Sequence, residues 1–172
     1  NTRNTGGLLD EGIRHLRVAC EHWPDSPVMH YMLGIALFAT GNHKDESVAH
    51  IQKVLKLDRE YLRKHSRPLD NTGLTALYRM VQILSSCPDP SLRDGIEAVE
   101  LGRQLIEQHK DARTLSILAG AYAEAGQFSD AVESARRAFT LSIDESDVAL
   151  MNVIRSRIRL YEAKTPFRWG ME

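Results

Sequence analysis

The sequence predicts an all-α fold assembled from antiparallel helix hairpins, and three observations carry that expectation. Apolar residues recur three and four positions apart through most of the chain, the spacing that gathers them on one face of a helix. Two stretches are variants of one hairpin: Leu33-Gly34-x-x-Leu37-x-x-x-Gly41, and Leu118-Ala119-x-x-Tyr122-x-x-x-Gly126-x-Phe128-x-x-Ala131-x-x-x-Ala135-x-x-Ala138. Small residues stand where the two helices of a pair would cross, which lets their backbones approach. A chain that repeats such a hairpin has its function in the surface it stacks up.

In chain order, residues 7–24 form an incomplete leading repeat. Leu9, Ile13, Leu16, Ala19 and Cys20 have helical spacing, and Pro24 stops the run, so this is the second helix of a hairpin whose first helix is missing. Truncation is therefore expected. Residues 27–58 make the first complete repeat. Ser26 can accept from a free amide at the helix start, Pro27 suits the first helical position, Gly41-Asn42 turns the chain, and residues 45–57 return it through Val48, Ile51, Val54 and Leu55. Residues 59–72, with mixed charge and Ser66-Arg67-Pro68, break the rhythm and are expected to be an insertion.

A degenerate repeat spans 74–109. Its first helix carries Leu77, Tyr78, Met80, Val81 and Leu84, then Pro88 and Pro90 force an enlarged turn before a return helix over 96–108. Gly102 would weaken that helix, so its presence predicts a close crossing. Asp111 is a candidate cap for the clearest repeat, 112–144, which turns at Gly126-Gln127. A terminal capping helix over 146–163 starts at Ser146-Asp147, buries Val148, Met151, Ile154, Ile158 and Tyr161, and turns Arg155 and Arg159 to water. Residues 1–172 are expected to form a single domain.

The Leu-Gly/Ala and Ala/aromatic/Ala spacings resemble the tetratricopeptide repeat. The fullest match is Leu115, Leu118, Ala119, Tyr122, Gly126, Phe128, Ala131, Ala135 and Ala138; the match at Leu33, Gly34, Leu37 and Gly41 is shorter, with one extra residue after the turn. The resemblance implies a right-handed superhelical array in which the first helix of each hairpin lines a concave face. It carries a candidate peptide-binding groove onto Tyr31, Ile35 and Phe38, then Tyr78, Gln82 and Ser85, then Arg113, Ser116 and Glu124. These positions lack the Lys and Asn set of the class that captures chaperone C-termini. The segments Cys87-Pro88-Asp89-Pro90-x-Leu92-Arg93-Asp94, Ala98-Val99-Glu100-Leu101, Ala121-Tyr122-Ala123-Glu124-Ala125-Gly126 and Leu160-Tyr161-Glu162-Ala163-x-x-Pro166-Phe167-Arg168 further resemble C-terminal repeat regions of large bacterial multidomain proteins, which follow sulfatase, kinase or glycosyltransferase domains.

Composition narrows the function. Over 172 residues, 22 Lys and Arg balance 23 Asp and Glu, a formal charge of -1, so no broad field draws in nucleic acid or an anionic membrane. No apolar run is long enough to span a bilayer, and Asn1-Thr2-Arg3-Asn4 does not open a signal peptide. The compartment stays open, with the cytoplasm favoured over an exported parent protein. The two cysteines, Cys20 and Cys87, are expected to be small buried residues rather than a disulfide framework.

Catalytic and metal chemistry find no motif. The histidines, at 15, 22, 30, 43, 50, 65 and 109, form no His-Glu-x-x-His arrangement and are expected to be isolated surface or cap residues, with no metal and no cofactor. Asp89, Asp94 and Glu97 crowd the enlarged turn, where capping accounts for them and Arg93 can neutralise a carboxylate. Ser85, Ser86 and Cys87 sit in no nucleophile motif. The expected function is thus non-catalytic: protein–protein interaction, or intramolecular docking to an adjoining domain of a larger bacterial protein. The alternative is a purely structural spacer that stabilises a catalytic domain. A homodimer is expected, if any forms, through the incomplete N-terminal edge at Gly12, Leu16 and Ala19.

Overall fold

A computed structural model describes residues 5–65 and 69–170. Every regular element among the described residues is helical, as the sequence predicts: α1 (Thr5–His22), α2 (Pro27–Thr40), α3 (Lys44–Lys64), α4 (Asn71–Ser86), α5 (Gly95–Gln108), α6 (Ala112–Glu124), α7 (Phe128–Asp144) and α8 (Val148–Glu162), with a 3-10 turn at Pro90–Leu92. The contacts divide the chain into two compact units, Asn1–Tyr61 and Leu62–Glu172. No described helix is long and apolar enough to cross a membrane.

Local chemistry sets most helix ends. The Ser26 hydroxyl accepts from the Met29 amide with Pro27 in the first turn, and Asp70, Asp94 and Asp147 accept from amides of the turns they open. At α6 the cap is reciprocal: Asp111 Oδ1 accepts from the Thr114 amide at 2.7 Å, and the Thr114 hydroxyl accepts from the Asp111 amide at 3.1 Å. Gly41 and Gly126 turn the chain with φ of 70° and 76°, a conformation that side chains with a Cβ rarely adopt.

One boundary differs from expectation. α3 continues to Lys64, so residues 59–64 of the expected insertion are helical. They contain no glycine or proline, and Arg63 and Lys64 suit the negative end of a helix. Ser66, Arg67 and Pro68 lie outside the described residues, as does Asn1-Thr2-Arg3-Asn4.

In the first unit, Ile13 and Cys20 of α1 are buried with Leu33 and Leu37 of α2, and Leu9, Leu16 and Met29 pack against them. α2 meets α3 at Gly34, where an added Cβ would lie 2.6 Å from the Ile51 side chain, while the Ser47 hydroxyl donates to the Gly34 carbonyl at 2.7 Å. At the edge expected to lie open, Gly12, Leu16 and Ala19 are half-buried; Leu16 packs against this cluster, while a Cβ added to Gly12 would meet nothing within 4 Å. The large apolar residues that α1 presents to solvent are Leu8 and Val18.

In the second unit α6 is central, packing on α4, α5 and α7 and touching α8. Its Leu115, Ala119 and Ala123 are buried with Ala131, Ala135 and Ala138 of α7 and with Ile154 and Tyr161 of α8. The alanines shorten the distance between axes, and Leu115 and Tyr161 fill what remains. A Cβ on Gly102 would lie 2.9 Å from Leu118 Cδ1, so the close crossing predicted from that glycine is real.

Candidate functional site

Helical spacing gathers the site in the second unit. Tyr78 and Gln82 are four apart on α4, Arg113 and Ser116 three apart on α6, and Leu150, Val153 and Arg157 recur along α8. Together they line an open pocket of about 380 Å³, into which Asp147, the cap of α8, also faces. A second depression of about 440 Å³ lies between α4, the end of α5 and the start of α6, lined by Leu74, Thr75, His109 and Thr114. Tyr78 and Arg113 border both, so the two depressions adjoin at that pair.

Two guanidinium groups dominate its charge. Arg157 is stacked over the Phe167 ring at 4.4 Å from its centroid and reaches the Ser116 hydroxyl at 3.4 Å, while its buried Nε has no hydrogen-bond partner among the described residues. Arg113 is mostly exposed and its nearest carboxylate is Asp147, at 3.7 Å. Burial pushes the Tyr78 phenol up from its ordinary pKa, and Arg113 and Arg157 pull it the other way. Asp147 is already committed to the Leu150 amide at 2.9 Å, so the cationic character of the pocket is only partly answered from within.

Of the residues predicted to line a groove, the structure thus brings Tyr78, Gln82, Arg113 and Ser116 together. Tyr31, Ile35 and Phe38 belong to the first unit, half-buried along α2. Glu124 is a correction: it stands at the C-terminal end of α6, where Oε1 accepts from Arg93 Nε at 2.9 Å and Oε2 pairs with Arg168 at 2.5 Å. Arg93 also donates to the Cys87 and Pro88 carbonyls, and Arg168 to the Ser85 carbonyl. Glu124 therefore ties together the turn that carries Arg93, the end of α6 and Arg168 beyond α8. Ser85 is buried beside Ser86, their hydroxyls 3.1 Å apart.

The crowded turn has a plain explanation too. Asp89 accepts from the Ser91 amide, and Asp94 accepts from the Ile96 and Glu97 amides. Of the three carboxylates expected in turn and cap roles, Asp89 and Asp94 act as caps, while Glu97 lies in the first turn of α5.

The histidines hold the larger difference from the sequence reading. His30 and His50, expected to be isolated, meet with their Nδ1 atoms 2.7 Å apart, and Cys20 joins them. Ten and twenty residues separate these positions, so no spacing rule could have found them. The only signal was that each stands on the buried side of its helix.

Compared with known proteins, the chain matches no family model, no curated protein and no solved structure.

Proposed function

We propose that the second unit is a non-catalytic docking module, built as a right-handed tetratricopeptide-like array, whose groove takes an extended polypeptide with acidic and apolar side chains. The observation that carries this reading is the pairing of Tyr78 with Arg113 and Arg157 along one open groove. An aromatic ring supplies apolar area at small entropic cost, and the two guanidinium groups favour a carboxylate between them. The array geometry is supported by α4, α6 and α8 following one another with α5 and α7 as returns, and by the alanine-rich contact of α6 with α7. The resemblance to bacterial repeat regions favours a partner segment in an adjoining domain of a larger parent protein.

An array of ten-residue peptides varying in acidic and apolar positions tests it. Acidic-apolar peptides should bind and basic ones should not, with affinity falling as salt rises. Tyr78→Ala should cost about 1 to 3 kcal/mol of binding at a temperature where its melt shows the variant folded. A flat array, or variants at Tyr78 and Arg113 that bind as well as the parent, would leave the spacer role as the better account.

A further inference from the structure

The first unit brings a thiol and two imidazoles together from three helices. Cys20 lies near the end of α1, His30 in the first turns of α2 and His50 in the second turn of α3, and their ligand atoms all fall within 4.8 Å of one another. Cys20 and His30 are 8% and 4% exposed, while His50 is half-buried.

The hydrogen bonds fix which nitrogen of His30 is available. Its Nε2 lies 2.8 Å from the Pro24 carbonyl, which can only accept, so Nε2 carries the hydrogen and Nδ1 holds the lone pair. That lone pair faces His50 Nδ1 at 2.7 Å. A ring N–H held by a backbone carbonyl, with the other nitrogen turned to a second imidazole, is an arrangement that orients a metal-ligating histidine. The two rings lie nearly parallel, 26° apart, with centroids separated by 5.0 Å.

From these positions the geometry points to a zinc site in the first unit, held by Cys20 Sγ, His30 Nδ1 and His50 Nδ1. Bonds of about 2.0–2.1 Å to nitrogen and about 2.3 Å to sulfur, at tetrahedral angles, set ligand atoms roughly 3.3–3.6 Å apart. The imidazole nitrogens need to separate by less than an ångström, and no ligand atom starts beyond the 4.8 Å limit. One sulfur and two nitrogens suit zinc, a borderline-soft ion without a directional preference of its own.

Proton balance is simple. The Cys20 thiol loses its proton to solvent as the metal–sulfur bond forms, and neutral His50 moves its hydrogen from Nδ1 to Nε2. Burial raises the Cys20 thiol above its ordinary pKa, Lys53 acts in the opposite direction, and the Arg17–Glu46 pair stands beside His50. The bound ion would tie α1, α2 and α3 together, which matters in a unit of about 60 residues.

The test uses the full chain stripped with chelator and dialysed against excess Zn2+, then against buffer. One zinc per chain and a raised melting temperature are expected. Co2+ loaded in its place should show a thiolate-to-cobalt charge-transfer band and intense visible bands of a tetrahedral site. Cys20→Ser should abolish the charge-transfer band and weaken zinc by more than the roughly 10- to 100-fold that loss of an outer hydrogen-bonding partner costs. Cys87→Ser should leave both unchanged. The Co2+ spectrum of the parent chain decides the matter even where a variant fails to fold. Metal content well below one per chain, an octahedral Co2+ spectrum without the thiolate band, binding of copper but not zinc, or Cys20→Ser binding as tightly as the parent would each overturn the site.

Discussion

Glu124→Gln isolates the tie that closes the second unit. The substitution keeps the side chain's shape and removes its charge, leaving Arg93 and Arg168, whose side chains are 17% and 19% exposed, without their shared carboxylate. Stranding buried charges in this way costs about 3–5 kcal/mol. The lower end applies here, because Arg93 keeps its bonds to the Cys87 and Pro88 carbonyls and Arg168 keeps its bond to the Ser85 carbonyl. The expected loss is therefore about 3 kcal/mol, which at a urea slope of about 1.5 kcal/mol/M moves the midpoint down by roughly 2 M. This is the penalty for unpaired cations, not the net worth of the cluster.

The chain offers a built-in reporter for the measurement. Its two tryptophans are Trp23 in the first unit and Trp169 in the second, where the Trp169 amide donates to the Ser86 carbonyl at 3.1 Å. In a Trp23→Phe background, fluorescence follows the second unit alone. Arg168→Met should cost at least about 1 kcal/mol less when Glu124→Gln is already present than in the parent, since the two arginines share one carboxylate. A midpoint shift below about 0.3 M, or equal costs of Arg168→Met in both backgrounds, would refute the reasoning.

Other consequences follow from individual contacts. A Cβ on Gly95 would lie 2.5 Å from the Ala125 nitrogen and 2.7 Å from the Glu124 carbonyl carbon, so Gly95→Ala should cost about 2 kcal/mol or more, whereas Gly102→Ala meets only the mobile tip of Leu118 and should be near neutral; equal shifts in thermal melting would contradict this. Burial pushes the Cys87 thiol up to about 11, so iodoacetamide at pH 8 should label it only after unfolding, and mass spectrometry of native protein showing rapid labelling would refute the burial argument. The Asp111 carboxyl is held below its usual range: burial acts to raise it, but the Thr114 amide and hydroxyl and His109 prevail. Because its folded value lies below the unfolded one of about 4, its stabilisation is complete above that pH and lost as pH falls through the folded value. Asp111→Asn keeps a good cap and should flatten the acid limb of urea midpoints between pH 6 and pH 3; an unchanged limb would show that Asp111 does not supply it.

What the sequence by itself determined is what short-range chemistry controls. Ser26 with Pro27, Asp94, Asp111 and Asp147 start their helices from groups within three residues, and Gly41 and Gly126 end theirs through a backbone conformation open to glycine. The repeat resemblance put forward Tyr78 and Gln82 on α4 and Arg113 and Ser116 on α6, and each pair shares a face because a helix fixes those relations locally. Glu124 went astray because its position on α6 said nothing of Arg93 and Arg168, which lie 31 and 44 residues away along the chain and reach it only after folding. The end of α3 was misplaced for a milder reason: charged residues 59–64 look like a loop in composition yet are good helix formers. Cys20, His30 and His50 mark the limit most sharply. Each is ordinary within its own helix, and only the packing of α1, α2 and α3 brings a thiol and two ring nitrogens within bonding range of one ion, because the distance between helices is set by the side chains between them and not by any local rule.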